Sequence, residues 1–119
     1  MREGNIVLDK SYQFSLRNVL LSRYLTAEKK EYYLSRQLLR SATSIGANIE
    51  EAMGGSSRND FKAKLDIAHK EARETKYWLR LLRDSSILEI KEADSMIQDC
   101  EELLKILVAI LKSLKSQTP

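Results

Sequence analysis

The sequence predicts an all-α protein, an antiparallel up-down-up-down four-helix bundle that forms one domain over residues 1–119. Three observations support this fold class. The 119 residues include only four glycines and one proline, too few for the frequent tight turns of a small β-sandwich or barrel. Apolar residues recur at intervals of three and four along four segments. The breaks between these segments are short, and helices joined by short connections pack antiparallel against their neighbours.

The first helix is predicted at residues 9–25 and the second at residues 27–53. An apolar face at helical spacing marks the side of the first helix that we expect to contact the core: Tyr12, Leu16, Val19 and Leu20. A heptad-like row predicts the buried side of the second helix: Leu34, Leu38, Ala42, Ile45, Ile49 and Ala52. Thr26 is expected to cap the second helix at its start. Gly54 and Gly55 are expected to end it, since glycine tolerates the left-handed conformation that closes many helices.

The third helix is predicted at residues 58–84 and the fourth at residues 90–114. Ser57 and Asp60 resemble a capping box at the start of the third helix, with Asp in place of Glu. Its apolar row alternates spacings of four and three: Phe61, Leu65, Ala68, Ala72, Thr75, Leu79 and Leu82. The corresponding row of the fourth helix consists of Ala93, Ile97, Cys100, Leu104, Leu107, Leu111 and Leu114.

One stretch of the second helix is rich in small side chains, at some cost in helix propensity. These small residues are Ser41, Ala42, Ser44, Gly46 and Ala47. We interpret the stretch as the site of a close-packed contact between two helices. Asn48, one turn after Ser44, is expected to form a hydrogen bond across that contact.

Two of the predicted helices carry apolar residues on a second face, which a lone bundle does not bury. Contiguous exposed apolar patches commonly mark contacts between proteins. We therefore predict a homo-oligomer, with an interface that consists of Phe14, Leu21, Leu25, Ile67, Trp78 and Leu81. The alternative is that these are isolated apolar residues on the surface, which are common.

Basic residues are clustered although the net charge is only +3. A stripe of basic residues lies beside the apolar row of the third helix, with Tyr77 nearby, and this arrangement suits contacts with phosphates. The candidate nucleic-acid-binding residues on the second and third helices are Arg36, Arg40, Lys62, Arg73, Lys76 and Arg80. The alternative is a solvated face with intrahelical ion pairs, such as Asp66 with Lys62.

The residues needed for common catalytic sites are absent from the sequence. The one histidine, His69, has no serine or cysteine at a productive spacing, and the one cysteine, Cys100, lies in an apolar row. Asp66 and His69 have the acid-x-x-His spacing of di-iron bundles, which require a second such motif. We therefore predict no enzyme, no metal and no cofactor. The absence of a signal sequence or of a membrane-spanning segment favours a cytoplasmic protein without membrane contact.

Two segments resemble a known family, QLLRSATSIGANIEEA at residues 37–52 and SSRNDFKAKLDIAHKEARETKYWLRLL at residues 56–82. They resemble the bacterial four helix bundle protein family, and the resemblance covers essentially the whole chain. This family includes proteins encoded in intervening sequences of 23S ribosomal RNA genes and the accessory variability protein of diversity-generating retroelements. The resemblance implies a ring-like homopentamer with no established catalytic residues. In the retroelement branch it also implies a basic surface that binds nucleic acid and a reverse transcriptase.

The sequence thus predicts a non-enzymatic, homopentameric bundle that binds RNA or DNA through its basic surface. Base-specific readout is not predicted, because the sequence contains no recognition-helix motif. The alternative function is a protein-interaction scaffold that recruits a partner protein, such as a reverse transcriptase, and has no nucleic-acid role of its own.

Overall fold

Four helices make up the regular secondary structure of the computed structural model, which describes residues 2–55 and 57–116. They are α1 (Arg2–Ala27), α2 (Tyr33–Met53), α3 (Arg58–Asp84) and α4 (Ile90–Ser116). Each helix packs against the next one along the chain, and α4 also packs against α1. The principal extents are 51 × 21 × 20 Å, as expected for long helices that lie side by side. The predicted all-α four-helix bundle is confirmed.

The apolar rows predicted for α2 and α3 form much of the core, and most of their side chains are fully buried. In α4 the buried row departs from the prediction in the second half of the helix. Leu103 and Ile110 are buried there, whereas Leu104 and Leu111 are half-buried at the edge. Leu103 lies beside Phe14 of α1, whereas Leu104 lies beside the basic residues of α3. The buried side of α4 is therefore turned towards α1 in this half of the helix.

The predicted core face of α1 is wrong, because the helix is rotated by about half a turn from the expected orientation. Tyr12, Leu16 and Leu20 are 62%, 46% and 56% exposed. The core instead contains Val7, Phe14, Leu21 and Leu25. Three of these four side chains, Phe14, Leu21 and Leu25, belong to the predicted oligomer interface. They are buried within one chain and so cannot form a surface for a second copy.

Polar residues within the core row explain why the sequence pattern was misleading for α1. Ser11, Asn18 and Ser22 are buried between the apolar members of the row. The amide of Asn18 donates to the carbonyl of Phe14 at 2.8 Å, and the hydroxyls of Ser22 and Ser35 are 2.7 Å apart. These hydrogen bonds reduce the cost of burying polar groups. An uninterrupted apolar row, Tyr12, Leu16 and Leu20, lies on the outward side instead, and this row led to the wrong prediction of the core face.

The connection between α1 and α2 differs from the prediction because α1 continues to Ala27. Thr26 does not cap α2, since its hydroxyl donates to the carbonyls of Ser22 and Arg23 within α1. Glu31 caps α2 instead. Its carboxylate accepts hydrogen bonds from two first-turn amides, from Leu34 N at 2.6 Å and from Ser35 N at 3.1 Å.

The turn between α2 and α3 contains both glycines, but neither adopts the expected left-handed conformation. Gly54 has φ −94°, and no described glycine has a positive φ. The need for glycine is steric at Gly55, where a Cβ atom would lie 2.5 Å from an Asp60 carboxylate oxygen. The predicted cap of α3 is confirmed, because Ser57 Oγ accepts a hydrogen bond from Asp60 N at 3.0 Å.

Three of the small residues of α2, Ser41, Ala42 and Gly46, are buried at helix contacts, as predicted, whereas Ala47 is exposed. A Cβ atom on Gly46 would lie 2.8 Å from Ser15 Oγ and 3.5 Å from the backbone oxygen of Ser11 on α1. On the side towards α3, Thr75 donates to Ser41 Oγ at 2.8 Å. The predicted role of Asn48 is wrong, because its amide donates to Ser44 within α2 rather than across a helix contact.

Candidate nucleic-acid interface

The basic residues of α3 line a groove beside α4. This groove, called the α3 groove below, is lined by His69, Lys70, Arg73, Glu74, Lys76, Tyr77, Arg80 and Leu104. Four of its residues are lysine or arginine, and one is acidic. The basic positions follow one another at helical spacings of three and four, so that α3 holds them as one continuous strip.

Three of the six candidate binding residues have carboxylate partners. Lys62 pairs with Asp66 at 2.8 Å, one turn later on α3. Lys76 pairs with Glu101 of α4 at 2.9 Å. Arg40 of α2 contacts two carboxylates of α3, those of Glu71 and Glu74. These pairs are exposed to water, where an ion pair contributes little to stability. Each carboxylate also partly neutralises its cation, which weakens the attraction between that cation and a phosphate.

Arg40 lies outside the α3 groove and is bound at the junction of α2 and α3. Its guanidinium contacts the carboxylates of Glu71 and Glu74. The charge of Arg40 is therefore matched by two acidic groups. Arg36, one turn earlier on α2, is exposed and does not line the α3 groove. The structure does not bring this pair of arginines together with the basic residues of α3.

Arg73 and Arg80 keep their charges available. Both side chains are exposed, and in the described ranges no carboxylate lies within ion-pair distance of either. The same holds for Lys70. At 1.5 Å per residue, Arg73 and Arg80 are about 10 Å apart along the helix axis. The α3 groove thus presents two separated guanidinium groups to solvent.

The basic strip is neutralised at the C-terminal end of α3. Arg83 donates hydrogen bonds to Asp84 at 2.9 Å and to Asp94 of α4 at 3.0 Å. The hydrogen bond from Arg83 lowers the pKa of the Asp84 carboxyl, with a smaller contribution from the charges of Arg83 and Arg80. Arg83 therefore joins α3 to α4, and the free cations lie between residues 69 and 80.

Tyr77 and Trp78 lie next to the α3 groove and contact each other. Tyr77 is 49% exposed. The two ring centroids are 5.1 Å apart with an interplanar angle of 68°, an edge-to-face arrangement. Trp78 is half-buried, and its indole nitrogen donates to Glu74 at 2.9 Å. Glu74 therefore holds both Arg40 and Trp78.

The exposed apolar residues of α1 form the most extended apolar row on the described surface. This row, called the α1 apolar face below, consists of Tyr12, Leu16, Leu20 and Tyr24. The contact between α1 and α4 is the least extensive of the helix contacts. Ion pairs of Lys10 with Glu102 at 3.1 Å and of Arg17 with Asp99 at 2.7 Å border the face on the α4 side. This surface was not predicted, because Tyr12, Leu16 and Leu20 were expected in the core.

The remaining residues of the predicted interface lie on α3. Ile67 is 41% exposed, whereas Trp78 and Leu81 are half-buried. At 100° per residue, the three lie within about 60° of one another around α3. Their common side is turned by about 120° from the basic strip of the same helix. Their role at an interface remains a prediction.

Cys100 is buried in the core, as the sequence analysis predicted. Its thiol donates to the carbonyl of Ala72 at 3.2 Å. Burial raises the pKa of this thiol to about 12. No group of three or more His, Cys, Asp or Glu residues in the described ranges has an arrangement that could hold a metal ion.

None of the helices that the structure describes is long and apolar enough to cross a membrane.

Comparison with known proteins identifies the family of this chain. A crystal structure from Bacteroides thetaiotaomicron VPI-5482 at 1.70 Å resolution, of a protein with unknown function from the S23 ribosomal protein family, is 47% identical in sequence. The superposition gives a TM-score of 0.91 and covers 92% of this chain and 98% of that chain. None of the curated proteins matches this chain. The family model of the 23S rRNA-intervening sequence proteins matches residues 3–109, and the chain belongs to this family.

Proposed function

We propose that this protein is a non-enzymatic homo-oligomer that binds RNA or DNA through the α3 groove. The observation that carries the proposal is the pair of exposed, unpaired arginines, Arg73 and Arg80, in a strip that also contains His69 and Lys70. Cations of this kind displace counterions from phosphates, which gives affinity without sequence readout. Contacts of these cations with phosphates position a protein on nucleic acid but carry no sequence information directly.

The ion pairs and positions of the basic residues support a smaller set of proposed binding residues. Arg40 is held by two carboxylates, and Arg36 lies on α2 away from the groove. We therefore centre the proposal on Arg73 and Arg80, with Lys62 and Lys76 as weaker contributors because their ion pairs must be shared with a phosphate.

The proposed assembly is a ring of five copies, which the family resemblance implies. A ring needs contacts between two different faces of each chain. The α1 apolar face supplies one of them, and the side of α3 that carries Ile67, Trp78 and Leu81 supplies the other. Since α1 and α3 do not pack against each other, they occupy opposite corners of the bundle. The basic strip lies on a different side of α3, so assembly leaves it accessible and multiplies the net charge of +3 per chain.

Charge reversal tests the proposal. The Arg73→Glu/Arg80→Glu variant is expected to lose most of its affinity for nucleic acid, measured by fluorescence anisotropy with labelled oligonucleotides at low salt. The matched control is Lys29→Glu/Lys91→Glu, which changes the net charge equally at exposed positions outside the groove. An equal loss of affinity in both variants would show that net charge alone drives binding and would contradict a site in the α3 groove.

A second candidate function is a scaffold that recruits another protein. The extent of the α1 apolar face favours it, because such rows commonly mark protein contacts. The two candidates differ in the charge-reversal experiment. A scaffold without a nucleic-acid role binds no oligonucleotide at low salt, either as the unmodified chain or as the variant.

A further inference from the structure

The position of Tyr77 adds an aromatic surface to the α3 groove. The ring is 49% exposed and lines the groove. Arg73 lies four residues before it and Arg80 three residues after it. Residues at these spacings are neighbours on the surface of a helix. The ring is therefore flanked by the two guanidinium groups that have no carboxylate partner in the described part of the chain.

The orientation of the Tyr77 ring is held by a chain of contacts. Its neighbour Trp78 packs edge-to-face against it, with ring centroids 5.1 Å apart. Trp78 is fixed in turn by a hydrogen bond from its indole nitrogen to Glu74, at 2.9 Å. Arg40 holds the same carboxylate from α2. A side chain that is already ordered loses less conformational freedom when a ligand binds.

The other exposed tyrosines lie in different surroundings. Tyr12 and Tyr24 belong to the α1 apolar face, and Tyr32 and Tyr33 lie at the start of α2. None of these four lines the α3 groove. Of the five exposed tyrosines, Tyr77 is thus the one that lines the α3 groove together with Arg73 and Arg80.

We infer that the α3 groove takes single-stranded nucleic acid, with Arg73 and Arg80 on phosphates and an unpaired base stacked on Tyr77. This inference rests on the proposed function and specifies its ligand. Proteins that bind single strands combine a basic groove with aromatic rings on which bases stack. Paired bases in a duplex are stacked on one another and present no free ring face to Tyr77. Stacking is tolerant of sequence, since every base has a π face.

The test separates stacking from phosphate contact. The probes are a labelled oligothymidylate and an abasic oligomer with the same number of phosphates. The unmodified protein is expected to bind the oligothymidylate roughly 5- to 100-fold more tightly than the abasic oligomer, the range for one stacked base. Tyr77→Ala is expected to remove this difference, and Tyr77→Phe to keep most of it. Tyr33→Ala, which changes an exposed tyrosine of α2 outside both the α3 groove and the α1 apolar face, is the matched control and is expected to retain the difference.

A further readout excludes a loss of fold. Tyr77→Ala is expected to keep the helical circular dichroism spectrum and the salt dependence of oligothymidylate binding, because the phosphate contacts remain. Equal affinity of the unmodified protein for the two oligomers would overturn the stacking inference but not the proposed function. Tighter binding of duplex DNA than of the oligothymidylate would have the same consequence. A lack of binding to both oligomers and to the duplex would overturn both.

Discussion

The thiol of Cys100 shows how the core controls the chemistry of a single residue. The side chain is buried against the backbone of α3 and donates to the carbonyl of Ala72. Burial disfavours the thiolate and raises the pKa from 9.0 to about 12. The thiolate is the nucleophilic form of cysteine. Cys100 therefore acts as a small apolar residue and contributes no reactive group.

This environment predicts a protected thiol. At pH 8 a thiolate-specific reagent is expected to label Cys100 only as fast as the protein unfolds, and at once in denaturant. Because the folded pKa is raised, the stability that the neutral thiol contributes is complete below about pH 9 and is lost as the pH rises towards about 12. Rapid, complete labelling of the folded protein would contradict the buried placement.

The helices differ in how far their sequences determine their placement. The bounds of α3 agree with the prediction, because Ser57 caps the start and an uninterrupted apolar row marks one side. The predicted orientation of α1 was wrong, because Ser11 and Asn18 interrupt the buried apolar row of this helix. Their hydrogen bonds go to carbonyl oxygens of α1 itself, Leu8 O and Phe14 O. These local bonds would form on either side of the helix, so the local pattern does not show which side is buried.

The same limit applies to the candidate site. The sequence shows which basic residues share one side of α3, since helical spacing determines it. It does not show which charges are already paired. Lys76 is paired with Glu101 of α4 and Arg40 with carboxylates of α3, and these contacts depend on how the helices pack. Only the folded structure shows that Arg73 and Arg80 have no carboxylate partner in the described ranges.

At the scale of the element, Glu31 determines where α2 begins. Its carboxylate accepts hydrogen bonds from Leu34 N and Ser35 N, which otherwise have no partner within the first turn. Glu31→Ala is expected to lower the free energy of unfolding by about 1 kcal/mol, the usual effect of losing a cap. Urea denaturation followed by circular dichroism measures this change. Glu28→Ala, an exposed position in the same connection, is the control, and an equal effect in both variants would contradict the capping role.

At the scale of the whole molecule, the α1 apolar face predicts self-association. Leu20 is 56% exposed in the middle of this face. Leu20→Glu would place a charge in an apolar contact, which is strongly unfavourable without a partner. The variant is expected to sediment near the chain mass of 13.7 kDa, whereas the unmodified protein is expected to sediment as an oligomer.

The control for this experiment is Ala47→Glu, which adds the same charge on the exposed side of α2. It is expected to leave the solution mass unchanged. The helical signal of Leu20→Glu is expected to persist, since Leu20 lies outside the core. If Leu20→Glu retains the mass of the unmodified protein, the α1 apolar face is not the subunit contact.

The basic strip and the α1 apolar face are two separate surfaces, and we propose that the first binds nucleic acid and the second binds other copies of the chain. The proposed contacts between α3 and phosphates are tested most directly by measuring the affinity for an oligonucleotide across a salt series. We expect the logarithm of affinity to fall linearly with the logarithm of salt concentration, by roughly 0.7 to 0.9 for each phosphate contacted. Replacing Arg73 and Arg80 by alanine is expected to reduce that slope by about two. Binding that is insensitive to salt, or no binding at low salt, would contradict the claim.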